Sequence, residues 1–80
     1  MSNKYRVVII TTQSEDGVVK MVPRFFFPTE SGHERARAYV NVVLGTSHYN
    51  GDRRVGLNVR DMTVDEVERF VGTVAASAAA

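Results

Sequence analysis

The first thirty residues have the hydrophobic pattern of two strands joined by a tight turn. Residues 4–12 are rich in β-branched side chains, and the apolar run 7–10 is typical of a central strand covered on both faces. Asp16 and Gly17 form a strong hairpin signal, and residues 18–27 are predicted to form the second strand. Pro23 cannot donate a ladder hydrogen bond, so we expect this strand at a sheet edge or with a bulge.

The rest of the chain predicts a helix, a strand and a second helix. Residues 31–34 have the spacing of a capping box, and apolar residues then recur at helical intervals up to Leu44, just before Gly45. Residues 53–60 alternate between apolar and polar, which predicts a half-buried strand. Residues 63–66 form a second capping box, and the helix after it has an apolar stripe made of Val67, Phe70, Val71, Val74, Ala75 and Ala78.

This element order, ββαβα, predicts a single α+β domain over residues 1–80, because a chain of 80 residues supports only one core. A right-handed crossover through the first helix would place the third strand beside the first. We therefore expect a two-layer fold: a three-stranded antiparallel sheet of order 2-1-3, with both helices on one face.

The helix-free face of this predicted sheet is the main candidate for function. The predicted strands contain basic residues and no acidic one, so a protein with a net charge of only +1 would still present one cationic face. Basic residues around an apolar centre are typical of a protein interface, and they favour a partner with an acidic surface. The candidate partner-binding residues are Arg6, Val8, Ile10, Lys20, Arg24, Phe26, Arg54, Asn58 and Arg60.

Three other interpretations of these residues stay open. Charged side chains can protect edge strands from aggregation, and a homodimer would bury Val8 and Ile10. The same arginines could bind nucleic acid, for which Phe26 is the one exposed ring that alternation predicts. Salt-sensitive retention on DNA or RNA would indicate the nucleic-acid function.

Catalytic and metal chemistry have little support in the sequence. There is no cysteine, His33 and His48 lack metal-site spacing, and no phosphate-loop, dinucleotide or zinc-protease motif occurs. Residues 45–52 contain Ser47 and His48, which could belong to an active-site loop, but an ordinary polar connection is the better explanation. We therefore expect a non-enzyme with no cofactor and no metal. The apolar run 7–10 is too short to span a membrane, so we also expect a cytoplasmic location.

The opening hairpin resembles that of a known family. Residues 4–9 (Lys-Tyr-Arg-Val-Val-Ile), followed by Glu15-Asp16-Gly17 and Val22-Pro23, are similar to the start of HicB-type antitoxins. The resemblance covers about half of the chain, and it implies a partial RNase-H-like fold that binds and blocks a small toxin. The chain lacks that family's proline-glycine-cysteine turn and its glutamate-alanine helix start.

Together these observations favour a non-catalytic protein-binding module. Its size is typical of the inhibitors and accessory factors that phages and mobile elements encode. Nucleic-acid binding and a HicB-like antitoxin are the alternatives.

Overall fold

The computed structural model describes residues 4–79, and it describes the side chains of residues 4–72. It is an α+β fold of four strands and two helices: β1 (Tyr5–Gln13), β2 (Val19–Phe26), α1 (Glu30–Leu44), β3 (His48–Tyr49), β4 (Asp52–Met62) and α2 (Val64–Ala79). The stripe positions predicted at Val74, Ala75 and Ala78 lie outside the described side chains.

The sheet is antiparallel and has the strand order β2-β1-β4-β3. The predicted three-stranded sheet of order 2-1-3 is therefore wrong, because the segment predicted as a loop contains the short strand β3. Asn50 (φ 53°) and Gly51 (φ 84°) adopt left-handed conformations, so two residues suffice to turn the chain from Tyr49 into Asp52.

The two helices lie on opposite faces of the sheet, which corrects the predicted two-layer arrangement with both on one face. Val8 and Ile10 of β1 belong to a buried cluster that includes Val43 of α1. Val7 and Ile9, which point the other way, pack in a second cluster with the α2 side chains Val67 and Phe70. The physical reason is the apolar run 7–10, because a central strand that is apolar on both faces needs cover on both. We refer to the two faces as the α1 side and the α2 side.

The two helix starts differ in how well the sequence predicted them. The N-cap of α1 is Thr29, whose hydroxyl accepts a hydrogen bond from the Gly32 amide at 3.0 Å, so α1 begins before the predicted capping box at residues 31–34. The capping box of α2 is confirmed. The Thr63 amide donates to the Glu66 carboxylate at 3.2 Å, and the Glu66 amide donates to the Thr63 hydroxyl at 3.3 Å.

Candidate protein-binding site

The strand register divides the nine predicted partner-binding residues between the two sides of the sheet. Directly opposed residues in an antiparallel pair share a face. Asn58 pairs with Ile9 and Arg60 pairs with Val7, so both lie on the α2 side. The other seven lie on the α1 side: Arg6, Val8, Ile10, Lys20, Arg24, Phe26 and Arg54. The structure therefore does not bring the nine together on one surface.

The apolar centre of the predicted surface is core. Val8 and Ile10 are fully buried beneath α1, so neither is available to a partner. Phe26 is half-buried, and its ring packs against the Tyr39 ring of α1 at a centroid distance of 5.7 Å. What the sequence suggested as an exposed apolar patch is the floor on which α1 packs.

The basic residues at the edge of the α1 side remain accessible. Lys20 and Arg24 are exposed, and the Arg24 guanidinium lies 5.1 Å from the centre of the Tyr39 ring, within cation–π distance. Arg54 is half-buried and donates through Nε to the Thr46 carbonyl at 3.2 Å, which holds the start of β4 against the turn after α1.

A hydrogen bond between two tyrosines joins α1 to β3. The Tyr39 hydroxyl donates to the Tyr49 hydroxyl at 2.7 Å. Burial, followed by this hydrogen bond, raises the pKa of Tyr39 to about 12. The neutral form of Tyr39, which can donate this hydrogen bond, is therefore favoured, and the bond links α1 to β3.

Arg6 and Asp61 form an ion pair across β1 and β4. Arg6 Nε lies 2.9 Å from Asp61 Oδ1, and a second contact to Oδ2 measures 3.4 Å. The Arg6 hydrogen bond holds the pKa of Asp61 below its ordinary value. Arg6 is therefore already engaged within the chain, and only part of its guanidinium is open to a partner.

A groove lies between α1 and β4 on the α1 side. It has a volume of about 180 Å³ and is lined by Arg6, Ala36, Arg37, Val40, Asn41 and Val59. Its floor is apolar, with Val59 at 42% exposure, and its rim carries two guanidinium groups. We call it the α1–β4 groove.

The sequence did not indicate Arg37 as a functional residue. Arg37 is exposed, and the hydrogen bonds and ion pairs found among the described residues do not include its side chain. Arg37 and Asn41 are one helical turn apart and flank Ala36, which is buried, and Val40, which is half-buried. That spacing is visible in the sequence, but the identity of the neighbouring strand is not, so the groove could be found only from the fold.

A larger and more polar groove, of about 410 Å³, lies between the β1–β2 and β3–β4 turns. Its lining includes Glu15, His48, Asp52 and Arg53, so it presents both signs of charge. Ser47 Oγ lies 2.9 Å from His48 Nδ1. No hydrogen bond in the described part of the chain joins His48 to a carboxylate, which would be needed to orient the imidazole as a base.

The described residues offer neither a metal-ligand cluster nor a membrane-spanning helix. Within them, no group of three or more histidine, cysteine, aspartate and glutamate side chains is arranged to hold a metal ion. None of the helices in this part of the chain is long and apolar enough to cross a membrane.

Comparisons with known proteins do not place the chain in a family. No protein-family model matches it, and neither a curated protein nor a solved structure does. The resemblance of the opening hairpin to HicB-type antitoxins therefore stays a prediction from those residues.

Proposed function

We propose that the protein is a non-catalytic binding module that engages an acidic protein surface through the α1–β4 groove. The observation that carries the proposal is the combination of an apolar floor at Val59 and Val40 with the guanidinium of Arg37 at the rim, which makes no hydrogen bond or ion pair with the described residues. An apolar side chain of the partner would fill the groove, and a neighbouring carboxylate would pair with Arg37. This pairing of an apolar anchor with an arginine is typical of interface hot spots.

The charge distribution around the groove supports an acidic partner. The residues that line the groove include Arg6 and Arg37 and no acidic one, and the nearby Asp61 is already paired with Arg6. Lys20, Arg24 and Arg54 lie on the same side of the sheet but do not line the groove. A cationic surface of this kind accelerates encounter with an anionic partner and gives binding that weakens as salt increases.

The non-catalytic part of the proposal rests on the polar groove between the turns. His48 lines this groove, and its Nδ1 lies 2.9 Å from Oγ of the preceding Ser47. Consecutive residues commonly make such a polar contact, and a nucleophile needs a base that is itself oriented. The substitutions Ser47→Ala and His48→Ala are accordingly expected to leave partner binding unchanged.

The experiment that tests the proposal is affinity capture with matched charge reversals. The full chain is immobilised and exposed to host lysate that has or has not been treated with nuclease, and bound proteins are quantified by mass spectrometry. Arg37→Glu should reduce the amount of the specific partner at least about tenfold, which corresponds to the loss of one hot-spot side chain. Arg35→Glu is the matched control, because Arg35 is exposed on the same helix and does not line the groove.

The capture experiment has two outcomes that would contradict the proposal. Equal loss with Arg35→Glu and Arg37→Glu would show that only general charge matters. Capture that disappears after nuclease treatment, together with a salt-sensitive shift of free DNA or RNA, would instead assign the basic residues to nucleic-acid binding.

A further inference from the structure

Strand β2 and the residue after it, Phe27, carry a row of apolar side chains on the α2 side of the sheet. Its members are Val19, Met21, Pro23, Phe25 and Phe27, and we call it the β2 apolar row. The first four are opposite Gln13, Thr11, Ile9 and Val7 in the register, and the Phe27 ring lies 6.4 Å from the ring of Tyr5. Val19 is 58% exposed, Met21 57%, Phe25 39% and Phe27 71%.

The described side chains of α2 pack near the Phe25 end of this row. Val67 and Phe70 pack on the cluster of Val7, Ile9 and Met62, and the Phe70 ring meets the Phe25 ring edge-on at 6.1 Å. At the other end of the row, Val19 and Met21 remain more than half exposed. The row is therefore an apolar surface that the described side chains do not cover.

The free edge of β2 is poorly suited to adding another strand. The Ser14 amide donates to the Val18 carbonyl at 2.9 Å, so the backbone of Val18 faces β1. The β1–β2 register has no shift, so successive residues of β2 turn their backbone groups alternately toward β1 and away from it. The backbone groups of Lys20, Val22 and Arg24 point toward β1, and those of Pro23 point toward solvent. Since Pro23 has no amide hydrogen, a strand added at this edge would meet an interruption in the middle of the ladder. A partner is expected to pack on the face of β2.

We propose that the β2 apolar row packs against the same row of a second copy of this chain, forming a two-fold symmetric homodimer. The row has no charged side chain, because Lys20 and Arg24 point to the α1 side, so two copies meet without like-charge repulsion and no oppositely charged partner is needed.

The two ends of the row complement one another in size. A two-fold axis near Pro23 places Val19 and Met21 of one subunit against Phe27 and Phe25 of the other. A flexible methionine and a small valine thus meet two exposed rings, which is favourable for packing because methionine adapts to irregular gaps and contacts aromatic rings. The most exposed side chains of each row cover those of its partner.

The size of the row predicts a dimer that forms reversibly. The four exposed side chains present roughly 400 Å² of apolar surface, within the range of the largest patch on a typical monomer. A standard stable interface uses about 800 Å² from each partner. We therefore expect an equilibrium between monomer and dimer that moves with concentration, with a dissociation constant in the micromolar range.

The mass of the protein as a function of concentration tests the dimer. Sedimentation velocity of the full chain should show 8.9 kDa at low micromolar concentration and a shift toward twice that mass at high micromolar concentration. Met21→Lys adds a charge in the middle of the row at an exposed position, and it should weaken dimerisation at least tenfold while circular dichroism shows an unchanged fold. Val42→Lys on the exposed side of α1 is the matched control and should leave the dimer intact.

Cross-linking tests the geometry of the dimer. The chain contains no cysteine, so introduced thiols report only the designed contact. When Met21→Cys and Phe25→Cys chains are mixed and oxidised, the mixed disulfide should form in preference to either homodimeric one. A protein that stays monomeric at high concentration, or a dimer that Met21→Lys does not weaken, would overturn the proposal. The inference is separate from the proposed function, since Arg37→Glu should leave the dimer unchanged and Met21→Lys should leave the groove intact.

Discussion

Val7 and Val8 are consecutive residues of β1, both are fully buried, and they are covered by different helices. Val7 packs in the cluster that contains Val67 and Phe70 of α2, and Val8 packs in the cluster that contains Tyr39 and Val43 of α1. Strand β1 therefore belongs to both halves of the core. At Val7 and Val8, neither face of the strand is available to a partner.

The burial of Val8 gives a direct test of this arrangement. Val8→Lys is expected to lower the free energy of unfolding by about 3 kcal/mol or more, because it places a charge without a partner beneath α1. Val42→Lys makes the same exchange on α1 at 68% exposure, and it should change stability by less than about 0.5 kcal/mol. Urea unfolding followed by circular dichroism measures both. A Val8→Lys protein with wild-type stability would mean that the α1 side of β1 is open to solvent.

The local pattern of the sequence predicted most of the elements, because each long strand and helix has its own pattern of apolar and polar residues. The hairpin at Asp16 and Gly17, the strand over residues 53–60 and the capping box at Thr63 all come from neighbours in the chain. The short strand β3 was missed because two residues carry no detectable period, although Asn50 and Gly51 formed a recognisable turn signal.

The placement of the helices, and with it the candidate site, depended on contacts that are distant in the chain. The run 7–10 contained evidence that both faces of β1 are covered, but the clean alternation at Val55, Leu57 and Val59 favoured a sheet with one open face. The run 7–10, apolar on both faces, by itself predicts one helix on each side of the sheet. The groove at Arg37 and the row at Met21 both follow from that placement.

Two glycines in helices are expected to respond to alanine in opposite directions. A Cβ at Gly32 would collide with the Phe27 carbonyl, so Gly32→Ala should destabilise the protein by about 1–3 kcal/mol. A Cβ at Gly72 meets nothing within 4 Å, so Gly72→Ala should stabilise α2 by up to about 1 kcal/mol through its higher helix propensity. Thermal unfolding of both variants measures the difference. If Gly32→Ala also stabilised the protein, α1 would not approach residue 27 as closely as the structure shows.

The ion pair of Arg6 and Asp61 predicts a pH-dependent contribution to stability. Arg6 lowers the pKa of Asp61 in the folded protein below its value in the unfolded chain, so the contribution is present above the unfolded pKa near 3.8 and is lost as the pH falls through the folded pKa. Because both side chains are partly exposed, Asp61→Asn should cost at most about 1 kcal/mol at neutral pH. Urea unfolding measures the difference in free energy of unfolding between Asp61→Asn and the wild type. This gap should close at acid pH and shrink in high salt. A gap that widens toward acid pH would contradict the assignment.

The hydrogen bond from Tyr39 to Tyr49 predicts a second pH effect, at the alkaline end. The pKa of Tyr39 is about 12 in the folded protein and near 10 when unfolded, so its contribution to stability is fully present below pH 10 and is lost as the pH rises through 12. The free energy of unfolding should therefore fall more steeply above pH 10 in the wild type than in Tyr39→Phe. Tyrosinate absorbance should show one of the three tyrosines titrating near pH 12, and Tyr49→Phe should lower that pKa only in part, because burial remains its largest cause. Tyr5→Phe is the control, since Tyr5 does not take part in this hydrogen bond. If Tyr49→Phe leaves the highest tyrosine pKa unchanged, the contact between α1 and β3 does not form in solution.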